Sequence, residues 1–205
     1  MKTPLYLGLS THRRIHPVAL PKIEKAAKAV LAEAIKIAAD RDSYLVMLNS
    51  LAEGGDTLLA RLAIKMKIPF IAILPRVLTS YAEDFEGDAK MELFSLTAKS
   101  ENLFVTPDIE KRGRSDYDYF YRQAGIYVAA KSDIFVALWD GVAGKPDGCG
   151  AAEAYDFAKN ASYADPEHAY PLKARTLYHI LTPRPTQDPT RAGEIRKETV
   201  TPKTP

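Results

Sequence analysis

Cysteine is almost missing from this chain: one residue in 205, Cys149. A single thiol excludes an intramolecular disulfide and fits a reducing compartment, so a cytoplasmic location is expected. Histidine is scarce too. Four scattered residues and one cysteine give no ligand spacing for a metal, and nothing in the sequence calls for another cofactor. Neither sign of charge prevails: 28 Lys and Arg stand against 26 Asp and Glu, a net charge of +2. Such a balance announces no broad basic surface, which makes nucleic acid an unlikely partner. Long apolar runs are absent, and none nears the roughly 20 residues that a bilayer crossing needs. Residues 1–20 hold Lys2, Arg13, Arg14, Pro4 and Pro17 and lack the apolar centre of a signal peptide. No internal repeat is visible. The length suits one core of ordinary size.

What is present is an alternation. PLYLGL at 4–9 reads as a short strand, and 17–39 as a helix with Ile23, Ala27, Val30, Leu31, Ala34 and Ile37 on one face. YLVML at 44–48, PFIAIL at 69–74, NLFVT at 102–106, residues 133–139 and TLYHIL at 176–181 read as further strands. Helices are expected at 53–67, over some of 81–99, at 117–131 and at 150–160. Strands alternating with helices mean right-handed βαβ units, hence an α/β, Rossmann-like, doubly wound sheet. About six mainly parallel strands in a three-layer αβα sandwich are expected. Residues 1–182 form the domain. After Pro183 the chain is rich in Pro, Thr and charge and poor in apolar residues, so 183–205 reads as a disordered tail or linker. The polar loop at 162–173 reads similarly.

Ligands of such sheets sit outside the carboxyl ends of the strands, near the switch point. Four segments fall there. The first holds Ser10, His12 and Arg13, for which a solvated turn is the plainer reading. The second runs from Ser50 through Glu53, Gly54, Gly55 and Asp56. Its glycine pair suits a phosphate cradle and equally a tight turn with Asp56 as a helix cap. The third holds Pro75 and Arg76, a counter-charge candidate, with Tyr81 beyond it as a base-stacking candidate. The fourth is SDIFVALWDGVAGKPDGCGAAE at 132–153, where an apolar strand breaks at Asp140 and Gly141. A loop with Gly148, Cys149 and Gly150 then leads into a helix whose positive end favours an anion. Glu153 stands in the first turn of that helix, either as the one catalytic candidate or as a dipole-favoured residue. Cys149, near the helix start, has the setting of a lowered thiol pKa, but no His–Asp partner accompanies it, so a filler is the plainer reading. Tyr117, Tyr121 and Tyr127 share one side of a helix, with Tyr121 a second stacking candidate. The aromatic face suits a base pocket or a dimer seam.

Four motifs carry a resemblance. SLAEGGDTLLARLAI at 50–64 is similar to the SGLARGID-type segment of DprA and its relatives. DIFVALWDG…GCGAAEA resembles the strand, loop and GGTAE-type helix start of SLOG domains. LGLSTHRRI is similar to a G-x-T-G-H-R start, and Tyr81-x-x-Asp84-Phe85 to a Y-x-x-D-F stretch. The superfamily joins DprA, the LOG phosphoribohydrolases and the sensor domains of melastatin-type TRP channels. The resemblance spans about residues 5 to 182. It implies a nucleotide-binding domain, in prokaryotic conflict systems a sensor, sometimes dimeric, that drives an attached effector, here through the tail. LOG enzymes end PGGxGTxxE with a catalytic Glu; aligned on Gly150, that position is Ala154, and Glu153 stands about 100° away. The expectation is therefore binding or sensing of a nucleotide-derived ligand such as an ADP-ribose type. An N-glycosidic-bond enzyme is the alternative, and DprA-like single-stranded DNA binding comes after it.

Overall fold

In the computed structural model, residues 2–106, 117–144, 149–160 and 174–201 are described. The elements alternate along the chain: β1 (Thr3–Thr11), α1 (Leu20–Asp40), β2 (Ser43–Asn49), α2 (Gly55–Lys65), β3 (Phe70–Leu74), α3 (Leu78–Tyr81) and α4 (Gly87–Lys99). They continue with β4 (Asn102–Val105), α5 (Tyr117–Lys131), β5 (Ile134–Trp139), α6 (Ala151–Asn160), β6 (Arg175–Leu181) and β7 (Ile195–Val200). One sheet takes all seven strands in the order β4-β3-β2-β1-β5-β6-β7. Every pairing is parallel except β6 with β7. This is the doubly wound α/β sheet expected, with one strand more.

Two cores lie on the two faces. Alternation along a strand sends successive side chains to opposite sides. In β5, Ile134, Val136 and Leu138 join one cluster with α1, α2, Tyr81 and α4. Phe135 and Ala137 join the other, with α5 and α6. Burial on both faces explains the unbroken apolar run IFVALW. On α1 the residues Ile23, Ala27, Val30, Leu31, Ala34 and Ala38 are buried at helical spacing; fully burying a Leu or Ile stabilises by about 1.5–3 kcal/mol. Pro17 opens the 3-10 turn before it, and the Val18 N–H donates to His16 Nδ1 at 3.3 Å.

The winding direction reverses between β1 and β5. From β1 the chain steps outward to β4, crosses back through α5, and steps the other way through α6. The loops leaving the carboxyl ends of β1 and β5 therefore diverge to opposite faces. That is the switch point, where a crevice is forced open.

The segment after Pro183 corrects an expectation. Residues 184–201 are not a disordered tail: they loop back and lay β7 antiparallel on β6, from Ile195 opposite Ile180 to Val200 opposite Arg175. Composition misled because ladder hydrogen bonds come from the backbone and need no apolar side chains. An edge strand carrying Arg196 and Lys197 also blunts the sheet against pairing with another chain. Lys197 bonds Glu33 at 2.6 Å, and Tyr155 bonds Glu198 at 3.0 Å. The loop at 162–173 lies outside the described residues.

Candidate functional site

All four strand-end segments meet in one crevice of about 1010 Å³. Ser10, His12 and Arg13 enter it from β1, Ser50 and Asp56 from the loop after β2, and Pro75 from the end of β3. Asp140, Cys149, Gly150 and Glu153 enter from the segment after β5. Tyr121 of α5 and Trp139 of β5 complete the wall. The sequence pattern did not point to one contributor, Arg184, which arrives from the β6–β7 connection.

His12 is buried and anchored, its N–H donating to Leu138 O at 2.9 Å. A guanidinium can only donate, so the Arg184 Nη2 contact to His12 Nδ1 at 3.1 Å leaves the ring proton on Nε2. That proton faces Asp140 Oδ1 at 3.3 Å. The Asp140 amide nitrogen also lies 3.2 Å from Nε2, but a bond there needs a lone pair that this tautomer does not have. Burial, then the Arg184 charge, holds the His12 pKa below its usual value against the opposing pull of Asp140. The ring is neutral at neutral pH.

Asp140 gathers most of the polar contacts at the β5 end. Its Oδ1 accepts from the Val142 N–H at 3.1 Å, and its Oδ2 accepts from Arg184 Nε at 3.0 Å and Gln187 Nε2 at 3.1 Å. Burial alone would raise its pKa, yet the bonds from Val142, Gln187 and His12 hold it below the usual carboxylate range. Asp56 is the opposite case. Its Oδ1 accepts from Thr11 Oγ1 at 2.7 Å and its Oδ2 from the Ala52 N–H at 3.3 Å. Burial dominates, and its pKa is pushed up to about 6.

Several expected ligand groups have other partners. The Gly55 N–H donates to His12 O at 3.0 Å. A Cβ on Gly55 would stand 2.4 Å from Thr11 Oγ1, and one on Gly54, at φ 99°, 2.2 Å from Arg13 O. The pair therefore serves the close approach of two loops, and neither glycine lines the crevice. Glu53 is exposed and outside it as well. Arg76 does not line the crevice; it bonds Asp84, which does, with Ser80 Oγ at 3.3 Å. Gly141, at φ 81°, shapes the turn after β5 and does not line the crevice. Gly148 lies outside the described residues. For Gly55 and Arg76 the cause is the same: donors near a loop first satisfy acceptors of the fold.

The aromatic candidates divide. Tyr81 is fully buried, donates to Ser50 O at 3.1 Å, and packs edge-on against Phe85. It is the floor of the crevice and offers no face to a base. Tyr121 is half-exposed, donates to Asp84, and carries the Arg13 guanidinium 5.0 Å above its ring. Burial, then the Asp84 bond, pushes its pKa up to about 12. Tyr127 stacks on Phe104 elsewhere on α5, and the side chain of Tyr117 lies outside the described residues.

At the start of α6, Glu153 Oε2 accepts the Gly150 N–H at 2.9 Å. This is the returning half of a capping box. The chain's own carboxylate thus sits where the helix end would otherwise hold an anion, which corrects the view of Gly150 as a free donor. Ala154 is buried against α5 near Gly125. Cys149 Sγ contacts Asp118 Oδ1 at 3.4 Å; burial, then that carboxylate, pushes the thiol pKa up to about 11. Both act opposite to the helix end, and the thiol is not activated. Among the described residues no group of three or more potential ligands could hold a metal ion, and no helix is long and apolar enough to cross a membrane.

Fold and crevice together define a doubly wound α/β domain with a switch-point cleft carrying arginines on its walls. No family model and no curated protein matches the chain. Among solved structures it is similar to DNA processing protein A (DprA) from Streptococcus pneumoniae, with a TM-score of 0.41 and 14% identity. That match covers 66% of this chain and 41% of the other, so the chain spans well under half of that protein's length.

Proposed function

We propose that the crevice binds a nucleotide or nucleotide-derived small molecule, and that the domain reports its presence. The observation that carries this is the lining: Arg13, Arg14 and Arg184 share one cleft with the half-exposed rings of Tyr121 and Trp139. Guanidinium groups suit phosphate, and aromatic walls suit a base. Arg13 packs over the Tyr121 ring, with the Asp84 and Asp56 carboxyls attracting it from nearby. The volume is ample for a mono- or dinucleotide, since small-molecule sites run about 300–1,000 Å³. In this reading the ligand's anionic end meets the arginines, and its base lies toward Trp139 or Tyr121. A cytoplasmic setting, a homo-oligomeric state and an effector reached through the β7 end belong to the same proposal.

Calorimetric titration with AMP, ADP, NAD and ADP-ribose, alongside adenosine and a short single-stranded oligonucleotide, tests it. At least one nucleotide is expected to bind more tightly than adenosine, and Arg13→Ala to weaken it. Preference for the oligonucleotide over every mononucleotide, or no binding at all, sinks the reading.

One observation favours a second reading, cleavage of an N-glycosidic bond. Asp56 borders the crevice with a pKa of about 6, the range a general acid needs. Release of free base from AMP, deoxynucleosides or NAD, abolished in Asp56→Asn, would establish it.

A further inference from the structure

Arg184 is held differently from the other crevice arginines. Its backbone N–H donates to Gln187 Oε1 at 2.6 Å, closing the turn that carries it. Its side chain is fixed twice more, by Nε on Asp140 and by Nη2 on the neutral His12. A guanidinium has five N–H donors in one plane, and these contacts use two. The side chain remains 48% exposed on the crevice wall.

Asp140 does not need Arg184 for its own satisfaction. It sits 5% exposed with the Val142 amide, Gln187 and His12 already donating to it. The arrangement reads better in the other direction: Asp140 and His12 hold the guanidinium plane in place. A cation oriented before the ligand arrives loses little side-chain entropy on binding, which is how a fork for a phosphate group is built.

We infer that Arg184 is a ligand-binding residue, aligned by Asp140 and His12 to receive a doubly charged phosphate or diphosphate group together with Arg13 and Arg14. The inference rests on the reading of the crevice as an anion-binding nucleotide site. It adds that the β6–β7 connection supplies a wall of that site, so ligand contact reaches the C-terminal strand directly.

Replacing the binding group and replacing the group that aligns it should lose affinity to different degrees, which gives a test by size. Inorganic pyrophosphate and ADP are titrated by calorimetry into the wild type, Arg184→Ala, Arg184→Lys and Asp140→Asn, with thermal unfolding recorded for each. A hydrogen bond to a charged group corresponds to about 10–100-fold in affinity, so Arg184→Ala should weaken pyrophosphate by that factor. Arg184→Lys should recover some of the loss, keeping the charge without the fork. Asp140→Asn keeps the guanidinium but loosens its alignment, so it should weaken pyrophosphate less than Arg184→Ala does. If Arg184 merely braces Asp140, Asp140→Asn will weaken pyrophosphate as much as Arg184→Ala or more, and the inference is overturned. It is overturned equally by unchanged affinity in Arg184→Ala or by a wild type that ignores pyrophosphate. Should pyrophosphate bind through Arg184 while ADP is held no better than pyrophosphate, the anion site stands and the nucleotide reading falls.

Discussion

At the scale of single residues, Asn49 shapes the loop that brings Ser50 and Asp56 to the crevice. It is fully buried at the end of β2; its Oδ1 accepts the Leu51 N–H at 2.7 Å and its Nδ2 donates to Asp56 O at 2.9 Å. Leu51 is thereby held at φ 57°, a left-handed conformation costing about 1–2 kcal/mol for a residue with a side chain. Asn49→Ala strands a buried donor and a buried acceptor, so we expect it to destabilise by roughly 2–4 kcal/mol in denaturant unfolding. Loss below about 1 kcal/mol would mean that water replaces the amide. Asp56 allows a prediction in pH. Its pKa rises from 3.8 to about 6 on folding, so the protonated form favours the native state. That stability is fully present below about pH 3.8 and is lost as pH rises through 6, a swing of about 2–3 kcal/mol. Asp56→Asn should match the wild type near pH 4 and exceed it by that order at pH 7.5, because Thr11 can turn to accept from the new amide. Parallel stability curves for the two proteins would show that the buried carboxyl is already relieved. Neither role was legible in the sequence. SLAEGGD looked like a phosphate cradle because the same glycines serve loop packing, and only the folded arrangement shows that the Gly55 N–H is committed to His12.

At the scale of elements, the sequence was informative wherever the pattern came from burial. β5 and α1 were visible because a strand covered on two faces and a helix covered on one leave different apolar periods. The crevice was visible for a related reason: parallel strands put their carboxyl ends on one edge, so four segments chosen for position came together. Arg184 was within reach of the same rule, since it closely follows the last apolar strand. It was lost by assigning everything after Pro183 to a tail. β7 escaped because its side chains are mostly exposed and its place depends on pairing with β6. Its integration is testable by deletion. Removing residues 184–205 should lower stability by roughly 3 kcal/mol or more, as several ladder hydrogen bonds contribute about 1 kcal/mol each. The deletion also bares the β6 edge, so concentration-dependent association should follow. An unfolding midpoint equal to that of the full chain would return this segment to the status of an appendage.

At the scale of the whole molecule, the crevice sits on the seam between two half-sheets, and a ligand there touches both. Arg13 and Arg14 follow β1, Asp140 follows β5, and Arg184 follows β6. These loops hold one another through polar contacts at the crevice: His12 with Leu138 and Asp140, Thr182 with Trp139, and Arg184 and Gln187 with Asp140. Local opening of such segments costs less than global unfolding, so a ligand bridging them should slow amide exchange in all three at once. The outer elements β4 and α4 lie far along the sheet from the seam and should exchange as before. A ligand at 100 times its dissociation constant stabilises by about 2.7 kcal/mol. For a domain of this size that corresponds to a rise of roughly 5–10 °C in melting temperature. We therefore expect the nucleotide that binds most tightly to raise the melting temperature by this amount and to protect 10–14, 139–144 and 182–187 together. Hydrogen exchange read by mass spectrometry distinguishes the outcomes. Protection confined to one of the three segments would mean that the ligand rests on one half-sheet only. A melting shift with protection outside the crevice would place binding elsewhere, and the seam would lose its claim to be the site.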